Sequence, residues 1–542
     1  MPIPQKLSLI VLPLVNFNGD PEQEYFSDGL TEVLTGMLSR ISSLFVIARN
    51  SAFTYKDKAV KVQDVSREMG VRYVLEGSVQ RAEQRVRIAV QLIDATTSYH
   101  VWSEQYDRPL TDIFALQDEI VQKIATTLKL QLTLQEQGVF LRKHTNNVEA
   151  YDYFLRGIDF FWLSTKEANA QARQMLAKAV ALDPQYAEAY AWLSFTYFIE
   201  WGWRWSVDPQ TLEHALALAQ QALALDDSLP RAHSALSLIY TQQQEYDHAV
   251  TEGERALTLD PNSAESYEMQ AEALIFAGRP EEAVRAAEQA IRLNPHAPPV
   301  YLYELGWAYR LTGRYAEAIA ASKEAIRRNP NFLPAHLVLA LSYVLQWLSQ
   351  QSPAGQTLES AAAAAQQALT LSDSLHWNYV TLGYIYLSQH QYNQALTEMK
   401  RAVALAPTEA GTYAMLAVVL SCIGQTEEAL AAVTQARTLK PAVVDDHLGA
   451  IGIAYAMVGH FEEARTILQR SLSRYPNILP VHVTLAAVYS ELGQNAEARA
   501  EVAEVLRLNP NFSLDVHKQR TLIRDPAVLE RHIAALRKAG LK

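Results

Sequence analysis

The stretch PVYLYELGWAYRLTGRYAEAIAASKEAIRRNP, residues 299–330, decides how most of this chain folds. Its apolar and small residues recur every three or four positions in two runs, the pattern of two amphipathic helices. Between the runs stands Gly313, where a left-handed backbone costs glycine little, and Pro330 closes the second run. Gly306 on the first run and Ala318 on the second are small enough for the two helices to approach closely. The plan returns at His376–Pro407, with Leu382-Gly383, Tyr386, Ala395 and Ala402.

Outward from this unit the closing phrase recurs at Pro184, Pro261, Pro295, Pro330, Pro407, Pro441, Pro476 and Pro510, with Asp227 and Asp373 replacing the proline at two further sites. Successive sites lie 34 or 35 residues apart, except for two gaps of 43. Each long gap holds an insertion: one carries Trp201, Trp203 and Trp205, the other is polar and runs from Ser349 to Thr357 with Pro353 and Gly355. A fixed period of this length marks helix pairs that bury their apolar faces only by stacking.

Composition bounds the rest. Of 542 residues, 47 are Lys or Arg and 59 are Asp or Glu, a formal charge of −12. Gripping a phosphate backbone takes clustered cations, so direct nucleic-acid binding is not expected. The single cysteine, Cys422, excludes an intramolecular disulfide and a Cys-based zinc site. The apolar run Leu7–Val15 is too short to span a bilayer, which leaves a reduced, cytoplasmic protein as the plain reading.

Residues 1–135 alternate strand and helix patterns: strands at Leu7–Val15, Leu44–Ala48, Val71–Gln80, Val86–Ala95 and Tyr99–Tyr106, helices at Phe26–Ile41, Val62–Met69 and Asp112–Leu132. The predicted architecture is an α/β head (1–135), an all-α solenoid of about ten helix pairs (149–510) and a C-terminal capping segment (511–542). In that last segment Asp525-Pro526 starts a helix, Gly540 stops it, and Leu529, Ile533 and Leu536 form its apolar stripe.

The repeat phrases resemble the tetratricopeptide repeat. In the head, Val11-Leu12-Pro13-Leu14, the run from Gly19 to Glu32, and the runs Val46–Ser51, Val71–Val79 and Gln91–Ala95 resemble the TolB-like amino-terminal domain. That domain precedes tetratricopeptide repeats in many bacterial signalling proteins. There the pair sits behind a class III adenylate cyclase, a winged-helix DNA-binding domain or a Ser/Thr kinase, and this chain resembles the non-catalytic C-terminal part of such proteins. The similarity starts near residue 7, so such an output module is not expected ahead of it. The resemblance implies a non-catalytic interaction scaffold that takes a protein or peptide partner. An alternative is a nucleotide-like small-molecule sensor acting in trans on an adenylate cyclase or transcription factor.

No phosphate loop, nucleophile elbow, kinase catalytic loop or zinc helix occurs, so no catalytic residue, metal site or cofactor is expected. In the tetratricopeptide family the binding groove is lined by fixed positions of each first helix. Those positions hold Phe195, Phe198, Leu238, Tyr303, Trp307, Leu341, Val344, Trp377, Val380 and Tyr384, with Glu265, Glu268 and Glu272 as an acidic patch. An apolar groove of this kind fits an amphipathic helix or extended peptide. Trp201, Trp203 and Trp205 are either an exposed anchor or a plug. His233, His336 and His482 share one repeat position and are expected to pack between helices, as is Cys422. In the head, the loops beyond the first two strands nominate Asn16, Ser27, Gly29, Arg49, Asn50 and Ser51 as a ligand site, because wound α/β sheets bind ligands beyond their strand C-termini. The competing reading is that Ser27 caps its helix and Arg49 pairs with a carboxylate.

Overall fold

The computed structural model describes residues 7–130, 132–133, 136, 145–352, 356–439 and 447–542. The unit end at Lys440-Pro441 and the loop residues Pro353 and Gly355 lie outside the described residues.

In the head, β1 (Leu7–Val11) runs parallel between β3 (Leu44–Val46) and β4 (Tyr73–Ala82). Strand β4 continues antiparallel through β5 (Arg85–Asp94) to β6 (Tyr99–Pro109). The single strand expected at Leu7–Val15 is broken: Pro13 has no N–H for a ladder, and the chain resumes as β2 (Val15–Asn16), paired to β4 at Ser78 and Val79. Helices α1 (Glu24–Ser39), α3 (Val62–Met69) and α4 (Ile113–Thr127) stand where periodicity predicts them, while the short α2 (Arg49–Phe53) was not foreseen.

Side-chain alternation sends Leu9, Val11, Leu75, Ile88, Val90 and Leu92 to one face of the sheet, where they join Leu30, Leu34 and Leu38 of α1 and Ile120 and Ile124 of α4 in one apolar core. That core does not stop at the head. Phe154, Leu155, Ile158 and Trp192 of the first helix pairs belong to it, all nearly water-free. At Gly29 a Cβ would stand 2.7 Å from Leu155 Cδ2, so the glycine lets α1 seat directly on the first repeat helix.

Among the described residues ten helix pairs follow, from Val148–Trp162 with Lys166–Leu182 to Leu479–Glu491 with Asn495–Leu508, then the helices Leu514–Arg520 and Pro526–Ala539. The turn glycines Gly278, Gly313, Gly424, Gly459 and Gly493 all have positive φ, as the sequence predicts. Gly306 packs against Ala318 O and Ser322 Oγ. In the cap, Asp525 accepts from the N–H groups of Ala527 and Val528, and Ile533 and Leu536 are buried.

The chain divides into two compact units, Met1–Ala277 with Arg285–Ala297, and Gly278–Val284 with Pro298–Lys542. The units do not follow the head-to-array boundary that pattern suggests, because the head shares its core with the first pairs. Within each unit, the Asx residues that close the repeats reach chain segments far away in sequence. In the first, Asp260 accepts from Ser39 Oγ (2.8 Å), and Asn262 Nδ2 donates to the carbonyls of Ser39 (2.7 Å) and Leu44 (2.9 Å). In the second, Asn509 Nδ2 donates to Ser349 O at 2.8 Å and Asn477 Nδ2 to Glu281 Oε1 at 3.1 Å.

Candidate functional site

The head residues nominated from the sequence separate into two groups. Arg49 lies 3.2 Å from Glu32 Oε2, with its guanidinium 3.6 Å over Phe53 and 4.9 Å from the Trp162 ring. Burial pulls its pKa down, and Glu32 and Asp28 oppose that shift. Ser51 Oγ donates to Asn294 Oδ1 at 2.6 Å and accepts from His296 N. Ser27 Oγ bonds back to Glu24 O inside α1, and Gly29 meets Leu155. Arg49, Ser51 and Gly29 therefore fasten the head to the repeats, Ser27 is spent within its own helix, and none of the four faces an open ligand site. Asn50, beside them in α2, is half-buried. The expected site is corrected on this point: helices α1 and α2 pack against repeat residues, Leu155 at Gly29, Trp162 at Arg49 and Asn294 at Ser51.

Asn16 belongs to a different place, a cleft of about 1080 Å³. Its walls are the β1–α1 loop (Leu12 to Gly19) and the segment Tyr55 to Val60 after α2, and its floor is the uncovered face of β4, β5 and β6, with Glu76, Ser78, Ala89, Gln91 and Ser103. The alternating polar residues of these strands mark a face without a helix layer. At the centre of the floor Gly77 allows β4 to press on β5, since a Cβ there would lie 2.2 Å from Ala89 O. Strand β1 stands between β3, which follows it through α1, and β4, which follows on its other side, so the cleft opens where the winding reverses. Such switch points gather ligands in open α/β sheets. Asn16 Nδ2 itself donates to Asp20 O and Glu24 Oε2.

On the repeats, the nominated groove residues are not equivalent. Phe195 and Leu238 are interior, in one cluster with Ala215, Ala219 and Ile239, and Val344 and Val380 are likewise buried. These four pack helices together and offer no free surface, which corrects their assignment. Phe198, Tyr303, Trp307, Leu341, Trp377 and Tyr384 are half-buried. Tyr303 sits between Trp307 (5.8 Å) and Phe332 (5.9 Å), and Trp377 stacks on His447 at 5.7 Å. Of the insertion tryptophans, Trp201 tucks against Phe198, while Trp203 is 68% exposed and lies 5.7 Å from Trp205. Glu268 and Glu272 are pushed up to about 8 and about 7 by burial, Glu268 also by Glu272 and Glu265.

His233, His336 and His482 are buried, and each Nε2 meets the carbonyl six residues earlier, Asp227 O, Pro330 O and Pro476 O, at 2.9–3.0 Å. Tyr379 OH makes the same bond to Asp373 O, so this repeat position is a staple of the preceding turn. The cleft floor residues Glu76, Ser78, Gln91 and Ser103 were missed by sequence reasoning, although their alternation along β4 to β6 was visible. Among the described residues, no group of three or more His, Cys, Asp or Glu could hold a metal ion, and no helix is long and apolar enough to cross a membrane.

Models of the tetratricopeptide repeat match residues 212–264, 268–332, 378–409 and 455–520. A curated relative, "Putative adenylate cyclase 3" of Rhizobium meliloti (strain 1021), is 44% identical over 246 residues, 45% of this chain and 42% of the relative. The chain thus spans less than half the length of the curated relative it matches. Solved structures similar to it include the APC/C assembly Cut9–Hcn1 (17% identity, 76% of this chain and 84% of that one, TM-score 0.38). A thermophilic tetratricopeptide repeat protein from Thermus thermophilus also matches (23% identity, 35% and 99%, TM-score 0.32). The matched stretches of the solenoid are tetratricopeptide repeats.

Proposed function

We propose that the chain is a non-catalytic scaffold of adenylate-cyclase-linked signalling, which holds a partner segment on the first-helix face of its repeats. One observation supports this above others: Tyr303, Trp307 and Trp377 keep accessible surface on that face while their neighbours are sealed in the core. Half-buried aromatic residues are the usual energetic anchors of protein interfaces. The partner chemistry that fits is an amphipathic helix with apolar anchors. Selection of a phage-displayed library of helical peptides against the full chain tests it. Selected peptides should carry apolar residues at helical spacing, and their binding should fall when Trp307 and Trp377 are both changed to Ala with helical content unchanged. Binding that survives the double change sinks the reading.

A second reading, that the head senses a small molecule for a separate cyclase or regulator, is favoured by the cleft at the winding reversal.

A further inference from the structure

We infer that the head cleft takes a cation: an ammonium or guanidinium group carried on an apolar body. The inference rests on the small-molecule reading of the head and names the chemistry of its ligand. Charge in the cleft is unevenly compensated. Lys56 is neutralised twice, by Glu24 Oε1 at 3.0 Å and Asp28 Oδ2 at 2.5 Å, so it has little to offer an anion. Asp57 and Lys58 stand next to each other on the exposed rim. Glu76, half-buried on the floor, forms no ion pair among the described residues; its one hydrogen bond there is from Gln91 Nε2 at 2.5 Å. A carboxylate on the floor of a cleft with no cation beside it is free to form a charge-assisted hydrogen bond with a cationic group that enters, a stronger bond than a neutral pair makes.

The rim supplies the second half of the recognition. Val15 and Val60 line the cleft and are 62% and 37% exposed. Apolar side chains gathered at the mouth of a polar cleft match a ligand that is charged at one end and apolar along its length. Nucleotides fit poorly, because their phosphates would enter beside Glu76 and find Lys56 already engaged. The cation has two possible sources, a free amine or a Lys or Arg side chain presented by another protein, and both place the same group on Glu76.

Calorimetric titration of the full chain with hexylamine, butylguanidine, AMP and an acetylated Gly-Arg-Gly amide distinguishes these cases. Hexylamine or butylguanidine should bind, Glu76→Gln should weaken binding about tenfold or more, and Lys58→Glu should tighten it. Lys58 is exposed, so that second variant keeps the test open if Glu76→Gln disturbs the floor. Binding of the peptide alone, with the same response to both variants, supports the cation site at Glu76 and overturns the small-molecule reading in favour of a protein source. Preferential binding of AMP overturns the cationic assignment and leaves the sensing reading intact. No binding by any of the four at millimolar concentration overturns both, and amine binding that neither variant changes overturns the assignment to Glu76.

Discussion

Ser51 in the second helix of the head donates its hydroxyl hydrogen to Asn294 Oδ1, 243 residues further along the chain, at 2.6 Å. Both side chains are completely buried. Beside them Ala48 N donates to Leu293 O at 2.9 Å. A repeat-closing asparagine has thus become part of the head's foundation.

Asn294→Ala should cost about 1–3 kcal/mol, since it strands a buried hydroxyl. Asn329, at the same point of the next repeat, is exposed, and Asn329→Ala should stay within about 0.5 kcal/mol. Urea unfolding of the two variants decides it; equal effects would mean that the turn, not the long-range bond, matters.

Two glycines of α1 should respond in opposite directions. Gly29→Ala pushes a methyl into Leu155 and should destabilise by about 1–3 kcal/mol. Gly36 has nothing within 4 Å of its missing Cβ, so Gly36→Ala should stabilise by about 0.5–1 kcal/mol through helix propensity. Thermal denaturation of both variants is the check.

Stability should fall from pH 5.5 to pH 9. Glu268, ordinarily near 4.5, is raised to about 8 by burial and by Glu272 and Glu265. The folded state therefore holds its proton more tightly than the unfolded chain. That contribution is complete below about pH 4.5 and is lost as pH rises through 8. Glu268→Gln should raise Tm at pH 8.5 and leave it unchanged at pH 5. An equal gain at both pH values would point to packing instead of titration.

Cys422 is 2% exposed, and burial lifts its thiol to about 12. Ellman's reagent should therefore leave the native chain unlabelled at pH 8 and react with one thiol per chain in guanidinium. Rapid native labelling would refute an inert interior cysteine.

The repeats were legible because their signals are local. Gly313, Ala318 and Pro330 fix helix ends and close approaches within one unit, and the structure places them as read. The head's elements were legible for the same reason, except the break at Pro13 that separates β1 from β2 and the helix α2, whose five residues hold too few turns to show periodicity. The site was less legible. Arg49 and Ser51 looked like ligand-binding loop residues because nothing local shows that Trp162 and Asn294 lie against them. Phe195 and Leu238 have the spacing of groove residues, but whether a side chain on that face is sealed depends on its neighbours across repeats. Glu76 was passed over because a charged residue in an alternating strand ordinarily faces open solvent.

The Asx residues that end certain repeats act as dowels, each seated in a socket on a distant part of the same unit. Tandem arrays commonly grow or shrink by whole repeats during evolution, yet here one added pair between Ala187 and Leu259 would carry Asp260, Asn262 and Asn294 past Ser39, Leu44 and Ser51 together. The copy number of the early repeats is therefore locked by the head, and length variation among descendants of this chain should be confined to stretches whose closing residues engage no socket.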